Sequence, residues 1–142
     1  MTGEYVPEPT YRISFMFRKL LVPVDGSENS LRALDLAIDF ARRYGSKITI
    51  LYVSEPNIDV SKIKKTVEER ITPYGIQWEF KVKHYSPSTS SIANEIIQEI
   101  ISEGYDLVIL GARGNTINEE LVIGSVALSV TINTTTSVMI IR

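Results

Sequence analysis

The sequence contains no cysteine. That excludes disulfides, thiol chemistry and cysteine-ligated metal centres, and it suits a cytoplasmic setting. His84 is the single histidine, and no set of histidine and carboxylates stands at metal-ligand spacing. No apolar run approaches the roughly 18 residues that a spanning helix needs, so no membrane contact is expected. The first residues show no basic region followed by an apolar one, so no signal peptide is expected either. Fifteen Lys and Arg stand against seventeen Asp and Glu, a formal net charge of −2, and no basic stripe stands out. Nucleic acid is therefore not the implied partner. Neither a Walker lysine loop nor a pyrophosphatase loop of the SGGxDS type occurs.

What is present is an ordinary globular composition, 44% hydrophobic and 23% charged over 142 residues, enough for one domain with a substantial core. Residues 1–17 carry Gly3, Pro7 and Pro9 without a clear period and read as a flexible N-terminal extension. Tyr11, Ile13 and Phe15 alternate as a strand would, which leaves open an arm packed on a neighbour. Residues 18–142 read as a single domain. Lys19 to Val24 is a short apolar strand ending in Pro23. Ser27 is placed to cap a helix whose Leu31, Leu34, Ala37, Ile38 and Ala41 share one face, and Gly45 ends it. KITILYV, from Lys47 to Val53, is the second strand.

Asp59 to Thr72 shows a narrower helical stripe, stopped by Pro73 and Gly75. Ile76, Trp78, Phe80 and Val82 then alternate with Gln77, Glu79, Lys81 and Lys83. The spacing predicts an edge strand with one covered and one wet face, with His84 at its end on the apolar side. A helix with Ile92, Ile96, Ile97, Ile100 and Ile101 follows, closed by Gly104. Leu107 to Leu110 is a strand buried on both faces, VALSVTI a helix, and Ser137 to Arg142 the last strand. This βαβαβαβαβ alternation implies a parallel α/β sheet with helices on both faces.

The glycines fall on the seams of that pattern. Gly111 and Gly114 follow the fourth strand, and Gly124-Ser125 opens the last helix. Glycine lets backbone approach a ligand closely, and a helix start offers free N–H groups to an anion. The stretch is a candidate phosphate cradle.

The spacing Gly111-x2-Gly114-x9-Gly124-Ser125, with Val22-Pro23-Val24-Asp25-Gly26-Ser27 upstream, resembles the universal stress protein family, in the branch that carries an ATP-binding signature. The likeness runs from about Arg18 to Arg142. It implies a Rossmann-like, open five-stranded sheet of order 3-2-1-4-5, which sets the first and fourth strands side by side. Ligands in such sheets sit where strand order reverses, so Asp25 and Gly111 should converge on one pocket.

There Asp25 is expected to contact the base or sugar of a nucleotide, although an Asp-Gly turn would also use it. Val24 and Val53, as the resemblance implies, would offer main-chain groups and an apolar wall to adenine, with Pro23 shaping that wall. Gly111, Gly114, Gly124 and Ser125, with Val126 and Ala127, would wrap the phosphates. Arg113 either reaches a phosphate or points to water. The sequence departs from the family at Ala112 and over Asn115 to Glu120, where an acidic stretch disfavours a triphosphate unless Mg²⁺ or Mn²⁺ intervenes.

The expected ligand is ATP or AMP. No residue is placed as a dedicated base, so binding is favoured over turnover, with slow metal-dependent hydrolysis through Asp25 as the rival and a ligand-free interaction module as a third reading. The fifth strand is an apolar edge with no Lys or Pro to guard it. The expectation is a homodimer through Ser137 to Arg142, presenting a nucleotide-dependent surface to an unidentified protein partner.

Overall fold

The computed structural model of the protein describes residues 17–114 and 123–142. All but Phe17 of the extension expected over residues 1–17, and the whole acidic stretch expected from Asn115 to Glu120, lie outside the described residues. Five parallel strands, β1 (Lys19–Val24), β2 (Lys47–Ser54), β3 (Trp78–His84), β4 (Leu107–Gly111) and β5 (Ser137–Ile141), form one sheet. Its order is β3-β2-β1-β4-β5, as the resemblance implied.

Four helices connect the strands: α1 (Glu28–Tyr44), α2 (Ser61–Ile71), α3 (Ile92–Glu103) and α4 (Ser125–Asn133). Alternate residues of the buried strands feed two cores. Leu20, Val22, Ile48, Ile50 and Ile109 pack on Ala33, Leu34, Ala37 and Ile38 of α1 and on Ile63 and Val67 of α2. Leu21, Leu51, Val53, Val108 and Leu110 pack on Ile96 and Ile100 of α3 and Ala127 and Val130 of α4. Because β1, β2 and β4 are covered on both sides, their sequences are continuous apolar runs rather than alternating ones.

Local chemistry sets the helix ends. Ser27 Oγ accepts from Ser30 N at 3.2 Å, and Gly45 closes α1 in the left-handed region at φ 71°. Ser91 caps α3 in the same way, accepting from Asn94 N at 3.0 Å. Phe17 belongs to the packed domain: its ring lies edge-on to Phe40, with centroids 5.4 Å apart, and its carbonyl accepts from Ser46 Oγ.

The register shows where the sheet opens. β1 and β2 pair along the whole of β1, from Lys19↔Lys47 to Val24↔Tyr52. Between β1 and β4 the ladder runs only over Leu20↔Leu107 and Leu21↔Val108. Asp106 secures that lower end, its Oδ2 accepting from the amides of Arg18 and Lys19. Above it the two central strands part, at the point where strand order reverses.

β3 differs from expectation on one face. Trp78 and Phe80 pack on the first core, but the face carrying Lys81 and Lys83 is roofed by α3 rather than wet. Lys81 Nζ lies 2.9 Å from Glu99 Oε2, and Lys83 Nζ lies 3.6 Å from Glu95 Oε1. The crossover from β3 back to β4 carries its own carboxylates to the lysines beneath it. His84 is exposed at the strand end, with Nδ1 3.4 Å from Ser54 Oγ.

Candidate functional site

Where β1 and β4 part, a cavity of about 430 Å³ opens at the carboxyl ends of the strands. From β1 come Pro23 and Val24, with Asp25 just beyond, and from β2 comes Val53. The end of β4 supplies Gly111, and the turn after it Arg113 and Gly114. Gly124, with Ser125, Val126 and Ala127 of the first turn of α4, completes the far wall. All eleven residues singled out from the sequence thus line one cavity.

The lining combines apolar Leu51, Val53, Ile92 and Ile96 with polar Asp25, Ser30 and the glycine turn. That combination suits a ligand with a flat apolar part and a charged tail. Gly124 stands at the N-cap of α4 and brings no capping side chain. The carbonyl of Ala112 accepts from Gly124 N at 2.7 Å, joining the glycine turn to the start of α4. A helix start without a side-chain cap, beside a turn of glycines, is an arrangement that receives an anion.

Asp25 has two tasks. Its Oδ1 accepts from Ser27 N at 2.9 Å, the turn-forming bond of an Asp-Gly corner, and its own amide donates to Ser30 Oγ at 3.2 Å. Its Oδ2 faces Gly114, where a Cβ would collide with it. The carboxylate at the end of β1 and the bare backbone after β4 therefore meet, as expected. Arg113 is exposed at the rim. Among the described residues no group of three or more His, Asp or Glu is placed to hold a metal ion.

Sequence reasoning missed the residues that support this arrangement. Asn29, in the first turn of α1, accepts from Arg113 N at 2.8 Å and donates to the carbonyl of Ile141 at 3.1 Å. A Cβ on Gly111 would lie 2.7 Å from Asn29 Oδ1, so that glycine makes room for Asn29. Ile92 and Ile96, one turn apart on α3 and expected as part of its helical stripe, also reach the cavity.

Glu99, on the same helix, is 98% buried and accepts from Lys81 Nζ at 2.9 Å and from the Tyr105 hydroxyl at 2.7 Å. Burial works against its charge. The hydrogen bonds from Lys81 and Tyr105 and the charges of Lys81 and Lys83 more than offset this, and the carboxyl ionises below the usual glutamate range. Its bond raises Lys81. Burial first, and Glu99 second, push the Tyr105 phenol up. A carboxylate three residues after Ile96, among isoleucines, was the one signal that could have revealed this bolt.

The profile of the universal stress protein family matches residues 16–75 and 64–142. The chain belongs to the universal stress protein family. It is 29% identical over 153 residues to universal stress protein YxiE of Bacillus subtilis, covering 89% of this chain and 100% of that one. A universal stress protein solved in complex with cAMP superposes with a TM-score of 0.70 at 25% identity, over 89% of this chain and 97% of that one. A universal stress protein from Archaeoglobus fulgidus solved in complex with dAMP superposes with a TM-score of 0.66 at 17% identity, over 89% and 99%. Among the described residues no helix is long and apolar enough to cross a membrane.

Proposed function

We propose that the cavity binds an adenine nucleotide, ATP or AMP, and that the chain is a cytoplasmic regulator for which occupancy is a conformational signal. The observation that carries this reading is the meeting of Asp25 with Gly114 in the crevice between β1 and β4. In this reading the apolar slot of Pro23, Val24, Val53, Ile92 and Ile96 takes the base, and Asp25 contacts the base or sugar. The glycine turn and the first turn of α4 take the phosphates. The cAMP and dAMP complexes of related proteins support the ligand class. Mg²⁺ or Mn²⁺ would come with a polyphosphate rather than from a protein cage.

Occupancy would alter the surface offered to a protein partner, a population shift driven by contacts made in one state only. We propose further that the protein is a homodimer through Ser137 to Arg142. The support is that β5 is an edge strand whose Val138, Met139, Ile140 and Ile141 are only half-buried, which is a liability unless paired. A monomer by light scattering at micromolar concentration would reject the dimer.

Native mass spectrometry tests the ligand. Wild-type protein should co-purify with, or take up, an adenine nucleotide, and Gly114→Val should not. Equal uptake by both would overturn the assignment of the glycine turn, and no uptake by either would overturn the ligand class.

A further inference from the structure

We propose that Asn29 is a positioning residue that locks the glycine turn to the end of β5, so that phosphate binding and the C-terminal edge strand are coupled. The inference rests on the nucleotide reading of the cavity and adds a route by which occupancy leaves it. One primary amide spans three elements here. Its Oδ1 takes the amide of Arg113 at 2.8 Å, and its Nδ2 gives to the carbonyl of Ile141 at 3.1 Å.

That same carbonyl accepts from Ala112 N at 2.7 Å, and the carbonyl of Ala112 accepts from Gly124 N at 2.7 Å. The chain of bonds thus runs from the N-cap of α4, through the glycine turn, to the last residue of β5. Asn29 closes it from the side of α1. The position demands both a donor and an acceptor on a short stem, which an aspartate or serine does not supply together in that geometry.

Gly111 is cut to fit it. A Cβ there would stand 2.7 Å from Oδ1 and 3.0 Å from the Asn29 carbonyl carbon, too close for either to remain in place. Asn29 is not needed to start α1, because Ser27 and Ser30 make the capping bonds. Its two bonds are therefore directed at the turn and the strand end. An anion held by the turn stiffens backbone that is already bonded to Ile141, and ordering on one side reaches the other.

The experiment compares wild type, Asn29→Ala and Asn29→Asp by NMR titration with AMP and with adenosine, and by amide exchange at Ala112 and Arg113. Asn29→Ala should weaken AMP about tenfold, the effect of one lost charge-directing hydrogen bond, and leave adenosine unchanged. Its Arg113 amide should exchange faster. Asn29→Asp keeps the acceptor, so Arg113 stays protected, but it cannot donate to Ile141. In wild type AMP should slow exchange at Ala112, and in both variants that slowing should vanish.

Equal AMP affinity in wild type and Asn29→Ala would overturn the proposal and leave the nucleotide site standing. An equal loss for AMP and adenosine would reduce Asn29 to a general structural role and also overturn it. If the wild type takes neither ligand, the reading of the cavity itself fails, and the coupling fails with it.

Discussion

Gly114 lies directly against the carboxylate of Asp25, so close that a single methyl group on its α-carbon would overlap Oδ2. Gly111, three residues earlier, is crowded instead by Asn29. Two glycines of one motif, both lining the cavity, therefore answer to different neighbours, one to Asp25 and one to Asn29 of α1. Gly114→Ala should displace Asp25 and weaken nucleotide binding more than tenfold with little change in melting temperature. Gly111→Ala should displace Asn29, weaken binding as Asn29→Ala does, and in addition strain the start of α1 and cost roughly 1–3 kcal/mol of stability, as overpacking does. Calorimetric titration and thermal denaturation of the two variants separate these effects, and a reversed pattern would contradict the assignment.

Asp25→Asn divides the two tasks of that side chain. The amide oxygen can still accept from Ser27 N, where the carboxylate Oδ1 now sits at 2.9 Å, so the turn should survive and stability should fall by less than about 1 kcal/mol. The acceptor offered to the base or sugar is weakened from a carboxylate to an amide, and adenine nucleotide affinity should drop severalfold. Asp25→Ala removes the turn bond as well and should lower both quantities. Urea denaturation beside nucleotide titration reads the difference.

The Glu99 bolt predicts a pH signature. The folded protein holds this carboxyl below the usual glutamate range, so it binds that proton less readily than the unfolded chain. Its stabilising contribution is fully present above the ordinary glutamate value and is lost as pH falls below it. Lys81 is raised, so its contribution persists through neutral pH and is lost only as pH climbs past the ordinary lysine value. Glu99→Gln should flatten the acid limb of a stability–pH curve between about pH 5 and pH 3 and cost roughly 2 kcal/mol at neutrality. An unchanged acid limb would show that the pair is not what holds α3.

Charge near the glycine turn predicts ligand choice. Glu119 and Glu120 follow Gly114 closely in sequence, and like charges oppose a triphosphate more than a monophosphate. Without divalent metal, AMP should bind at least as tightly as ATP, and Mg²⁺ should strengthen ATP selectively. Calorimetry with and without EDTA checks this, and stronger metal-free ATP binding would contradict it.

The strands were legible because burial on both faces leaves apolar runs in β1, β2 and β4, and because glycine and serine mark the ends of α1 and α3; their order came from the resemblance to the family. Given the strand order that the resemblance implied, Asp25 and the glycine turn could be paired, since both sit at carboxyl ends of neighbouring central strands. Asn29 was not legible. Its bonds join residues far apart in the chain, and nothing in the local pattern of the first helical turn distinguishes it. Lys81 and Lys83 misled for a related reason: alternation reports which residues are charged, and here the charges are answered by Glu95 and Glu99 from a helix laid over them. Ile92 and Ile96 follow the same stripe as the core isoleucines, and periodicity does not say where a stripe runs past the edge of a core into open space.

The brevity of the β1–β4 ladder reaches beyond the shape of the cavity. With Leu20↔Leu107 and Leu21↔Val108 as its rungs, the middle of the sheet is a seam, held on one face by α1 and on the other by α3 and α4. Under mechanical tension the molecule should tear along it before it tears anywhere else. A molecule lodged between Asp25 and the start of α4 would act as a clasp, raising the force needed to part the two halves.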